Sequence, residues 1–83
     1  MKKNKVVIHL MGRDYALLTD QPADKVQRLA RYVDRKMREL SAAGLTSREA
    51  ASVMAALQLA DELLKAQDEN TRLRRKLDEM SHD

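Results

Sequence analysis

No cysteine, phenylalanine or tryptophan occurs in the chain; proline appears once and glycine twice. Each scarcity removes a class of protein. Without Cys there is no disulfide framework and no cysteine-based zinc site. The only histidines, His9 and His82, lie far apart, so no metal-ligating cluster is expected. Gly12 and Gly44 are too few and too distant to build a Gly-rich phosphate loop. Ser41, Ser47, Ser52 and Ser81 have no convincing base beside them, and no thiol nucleophile exists. No catalytic, cofactor-binding or metal residue is therefore expected, and the chain reads as something other than an enzyme.

Long apolar runs are also missing: none approaches the roughly 20 residues needed to span a bilayer. Lys2, Lys3 and Lys5 lead into a short β-branched run rather than a signal-peptide core, so a cytoplasmic location is the expectation. Aromatics are 2% of the chain and charged residues 35%, which suits solvated helices better than a bulky globular core. The 83 residues make at most one domain. A core of that size rarely supplies more than ~3–5 kcal/mol unaided. With disulfides and metals excluded, self-association is the remaining way to stabilise it.

What is present supports that reading. From Thr46 onward neither Gly nor Pro interrupts the chain, and apolar residues recur in a heptad. Ala56, Leu63, Asn70 and Leu77 fall at position a; Leu59, Ala66, Leu73 and Met80 fall at d. The pattern holds over about four heptads, the spacing of a coiled coil. A lone helix cannot cover such a seam. Asn70 is a candidate register residue, since a buried Asn at one a position trades stability for register and strand number.

The N-terminal part has a different period. Lys5 to Leu10 is rich in β-branched residues and reads as a strand, with Val6, Ile8 and Leu10 on one face and Val7, His9 and Met11 on the other. A second strand is expected over Tyr15 to Leu18. Gly12 at the first central position fits a type II′ hairpin, which would put Arg13 at the exposed tip. Two strands alone are marginal; they must lie on a helix or continue a sheet in a second subunit, and the apolar residues on both faces favour the second. Pro22 suits a helix first turn. Val26, Leu29, Ala30, Val33, Met37 and Leu40 then make one apolar face to about Ala43, with Gly44 as the stop. Thr46 and Glu49 match a capping box opening a second helix of about 35 residues, or roughly 50 Å. Its first half is apolar on more than one face, at Val53, Met54, Leu57, Leu59, Leu63 and Leu64. After Lys65 only the narrow seam stays apolar, as in a projecting stalk.

Net charge is +3, too mild to choose between nucleic acid and an acidic protein. The run Arg72 to Lys76 and the Lys2–Lys5 arm could contact phosphates, which makes a small dimeric nucleic-acid-binding regulator the alternative function. Against it, Asp68, Glu69, Asp78 and Glu79 interleave that run, and neither Tyr15 nor Tyr32 is placed to stack on bases.

Together, three segments resemble one family. Val7 to Tyr15 is similar to the "V-x-I-x-G-x-x-Y" strand–turn–strand of the bacterial cell-division protein ZapA, with the spacing restored when Leu10 takes the last strand position. Leu29 to Glu39, reading LARYVDRKMRE, resembles the family's "A-x-Y-V-D-x-K-M-R-E". Ala55 to Leu63, reading AALQLADEL, resembles "A-A-L-N-I-A-D-E-L". The resemblance implies a small head of β-hairpin and helix, a long C-terminal helix, head dimers, and pairing of dimers into a dumbbell-shaped tetramer. It implies binding to the tubulin-like GTPase FtsZ, bundling of its protofilaments and a place at the midcell division ring. By position it makes Arg13 and Glu49 candidate partner-binding residues, with Arg48 a weaker neighbour, although the capping box also accounts for Glu49. The stalk is short beside longer members, which implies a dimer–tetramer equilibrium.

The expected fold is thus α+β and mostly α: a head over residues 1–64 with hairpin, first helix and the start of the second, then a coiled-coil stalk over 65–83. Association is expected through Ala56, Leu59, Leu63, Asn70, Leu73, Leu77 and Met80.

Overall fold

The computed structural model describes residues 2–44 and 47–81. Strand β1 (Asn4–Leu10) and strand β2 (Arg13–Thr19) form an antiparallel hairpin, followed by helix α1 (Ala23–Ala42) and helix α2 (Arg48–Ser81). This is the expected α+β, mostly helical architecture.

The hairpin register pairs Val6 with Leu17, Ile8 with Tyr15 and Leu10 with Arg13. Directly opposed residues share a face, so these six side chains point to one side. That side lies on α1. Val6 and Ile8 are buried against Val26 and Ala30, with Leu10 alongside. The sheet therefore rests on a helix of its own chain. Its other face, with Val7, Ala16 and Leu18, is exposed in the single chain. Gln27 of α1 donates its side-chain N–H to the Val7 carbonyl at 2.7 Å, satisfying one of the strand's backbone acceptors.

The turn differs from the type II′ expectation. Met11 and Gly12 both have positive φ, 48° and 79°, the signature of a type I′ turn, whose twist matches that of the flanking strands. Arg13 is accordingly not the tip. It opens β2, two residues earlier than Tyr15, and pairs with Leu10.

Helix α1 starts one residue after Pro22, whose carbonyl accepts from the Val26 N–H at 3.1 Å. It ends as anticipated: Ala43 donates to Glu39 and Leu40, and Gly44 follows at φ 117°. At the start of α2, the Ser47 hydroxyl accepts from the Ala50 N–H at 3.0 Å. Ser47 therefore fills the capping role, and the expected cap Thr46 lies outside the described residues. The two helices meet where Met37 packs on Ala51 and Ala55, with Val33, Leu40 and Leu10 around them. Alanines four apart on one helix face let the backbones approach closely. The large side chains of this half, Val53, Met54 and Leu57, face outward. From Ala60 to Ser81 every residue is exposed. The 34-residue helix accounts for most of the molecule's 56 Å length.

Candidate functional site: a charged-rimmed cleft and an uncovered seam

Because α1 covers β1 rather than β2, a cleft opens between β2 and the first turns of α2. Its floor is Leu10, Val33, Met37 and Ala55; its rim is Arg13, Tyr15, Arg48, Glu49 and Ser52, and it runs out along α2 past Ala56 to Leu59. Its volume is about 760 Å³. Arg13, Arg48 and Glu49, separated by up to 36 positions in sequence, all line this one cleft. Arg13 and Glu49 are exposed; Arg48 is half-buried.

The rim is held by a polar knot at the hairpin turn. The Met11 N–H donates to Asp34 Oδ1 at 2.7 Å, and Arg48 Nη2 donates to the Met11 carbonyl at 2.9 Å. Asp34 Oδ2 accepts from Arg38 Nε at 2.9 Å. Both peptide groups of the left-handed residue are thus engaged, one by each helix. The Met11 amide, seconded by the hydrogen bond and charge of Arg38, holds the Asp34 carboxyl below the ordinary carboxylate range; partial burial opposes this. Arg48 Nε is buried without an acceptor among the described residues.

A second knot ties α1 to α2 further along. Glu62 accepts from Lys36 Nζ at 2.7 Å and from the Tyr32 hydroxyl at 3.2 Å. Arg35 stacks over the Tyr32 ring at 5.1 Å from its centroid. The Lys36 hydrogen bond holds Glu62 below its usual range, and Glu62 raises Lys36 in return. On the open sheet face, His9 and Asp14, directly opposite in register, form a cross-strand pair.

The seam residues lie beyond these contacts. Leu63, Leu73, Leu77 and Met80 are 45–78% exposed. Asn70 and Ala56 are exposed as well, and Leu59 is half-covered at the cleft mouth. The basic stretch carries its own counter-charge, since Arg72 binds both carboxylate oxygens of Glu69 at 2.5 and 3.1 Å. Asp34, Tyr32 and Glu62 went unremarked as interacting groups in the sequence. The spacing of Asp34 and Arg38, four apart on a helix, signals one of these contacts, and all three residues fall within the segments that resemble the family.

The model of the family described as cell division protein ZapA matches residues 6–83. The chain belongs to the ZapA family. Among solved structures, one described as a ZapA mutant dimer from Geobacillus stearothermophilus is similar, with a TM-score of 0.72 and 30% sequence identity, covering 94% of this chain and 92% of that one. No curated protein matches the chain. The ZapA match spans the hairpin, both helices and the cleft between them, so every residue of the two knots falls inside it. Among the described residues, no helix is long and apolar enough to cross a membrane and no cluster of metal-ligating side chains occurs.

Proposed function

We propose that this ZapA-family chain is a non-enzymatic division factor that binds FtsZ and bridges its protofilaments, acting at the midcell ring as a homodimer that pairs into a tetramer. The observation that carries this is a separation. Arg13, Arg48 and Glu49 converge on a cleft in the head, while an apolar seam runs uncovered along the distal part of a projecting helix. One end offers charged groups to a partner; the other requires another copy of itself. The dimeric state of the Geobacillus stearothermophilus relative supports self-association. In this reading residues 1–64 are the binding head and the stalk from Lys65 sets the spacing between bridged filaments. Two weak heads on one rigid body gain effective concentration once the first is engaged.

The test is co-sedimentation with FtsZ polymerised in GTP, with and without Arg13→Ala. Pelleting with polymers, an enlarged pellet, and loss of both in the variant are expected. A folded protein that stays in the supernatant at physiological salt would remove FtsZ binding from the reading.

A further inference from the structure

We propose that Asp34 is a positioning residue for partner binding: by accepting the Met11 N–H it keeps the hairpin turn left-handed and so aims Arg13 into the cleft rim. This rests on the reading of Arg13 as a partner contact. The argument begins with Met11. A non-Gly residue at φ 48° is disfavoured, and the usual occupants of a type I′ turn at this place are Asn, Asp or Gly. Such a conformation persists only when its surroundings over-determine it. Here the surroundings are explicit. Asp34 on α1 takes the Met11 N–H, and Arg48 on α2 takes its carbonyl. Met11 also packs beside the Met37–Ala51–Ala55 cluster. Arg13 lies two residues on, at the first pair of β2, so the turn type sets where its side chain leaves the sheet. A relaxed turn would shift the strand register, and with it the face on which Arg13 stands.

Asp34 is the informative half of the clamp. Arg48 stands on the cleft rim, where a direct contact with a partner and a structural role give the same phenotype. Asp34 is three-quarters covered and belongs to α1, and it does not line the cleft.

The experiment is a double-mutant cycle between Asp34→Ala and Met11→Asn, read by binding to GTP-polymerised FtsZ and by hydrogen exchange of the hairpin amides. Asn tolerates the left-handed region, so Met11→Asn lets the turn form without its clamp. Asp34→Ala alone should weaken binding roughly tenfold, the scale of one lost charge-assisted hydrogen bond. In the Met11→Asn background the same change should cost less than about threefold in binding, while thermal stability falls in both backgrounds. Asp34→Asn, which keeps an acceptor oxygen, should bind nearly as the parent does. Equal binding losses in both backgrounds would overturn the proposal and make Asp34 a direct or purely structural residue. If Asp34→Ala alone does not fold, a roughly tenfold binding loss between Met11→Asn and the double variant still overturns the proposal, and faster exchange of the hairpin amides in a folded Asp34→Leu variant, slowed again by Met11→Asn, supports it. If Arg13→Ala leaves binding intact, the Arg13 reading fails. The clamp then stands or falls on whether Asp34→Ala speeds exchange of the Met11 amide and whether Met11→Asn restores slow exchange of the β1–β2 pairs.

Discussion

Asp34 shows how one side chain couples local geometry to charge. Its oxygens serve the Met11 amide on one side and Arg38 on the other, with His9 adding a weaker favourable field. The folded carboxyl is held below its ordinary value of 3.8. A depressed carboxylate contributes stability that is present above the unfolded value and is lost as pH falls through the folded one. The stability gap between the parent and Asp34→Asn should therefore be constant from about pH 7 to about pH 5 and narrow as pH falls below the ordinary carboxylate range, as read by thermal melts of helical circular dichroism. A gap that stays constant into acid would mean the native carboxyl titrates normally. At this scale the sequence is only partly legible. Gly44 can be read as a helix stop because its positive φ admits few other residues. The Met11–Gly12 turn cannot be read the same way, since its first residue is stabilised by groups on two distant helices rather than by its own preference. The cap is hard to read for a related reason: Ser47, whose hydroxyl accepts from Ala50, and its neighbour Thr46 are both good cap residue types, and local sequence does not choose between them.

Helix α2 is two elements in one. Up to Glu62 it is tied to α1, through Ala51 and Ala55 and then through the Tyr32–Lys36–Glu62 knot; beyond, every described residue is exposed. The long helix is legible because no Gly or Pro interrupts it and its period depends on the helix alone. Which residues of the first half turn inward is not, because the small Ala51 and Ala55 are buried while Val53, Met54 and Leu57 are out. Hydrophobicity ranks the larger side chains first, whereas close helix approach selects the smaller ones. Leu73 sits mid-stalk, far from the cleft. Leu73→Glu places a charge in the proposed seam and should leave dimers that bind FtsZ polymers without bundling them. Analytical ultracentrifugation and light scattering of FtsZ mixtures read the two effects separately. Tetramers that persist in this variant at micromolar concentration would sink the seam assignment.

At the scale of the molecule, the chain is flat and elongated, with extents of 56, 40 and 14 Å, and a thin body of that kind cannot bury its own apolar surface. Leu57, Leu63, Leu64 and Leu77 are all more than half exposed, which is where self-association would recover the missing burial. The exposed stretch from Ala60 to Ser81 is about 33 Å of helix, a short overlap for pairing two dimers. Bridging needs a head at each end of the assembly, whereas binding needs only one. Dilution should therefore separate the two activities. As the protein is lowered through its dimer–tetramer midpoint at fixed FtsZ, light scattering from bundles should fall cooperatively, while the fraction of protein pelleting with single filaments declines only along a simple binding curve. Fusing the stalk to a longer antiparallel coiled coil that locks the heads at opposite ends should remove the concentration dependence of bundling and leave single-head affinity unchanged. If bundling and binding instead decline together in both the native and the locked forms, the head itself would have to contact two filaments at once, and the stalk would have no part in bridging.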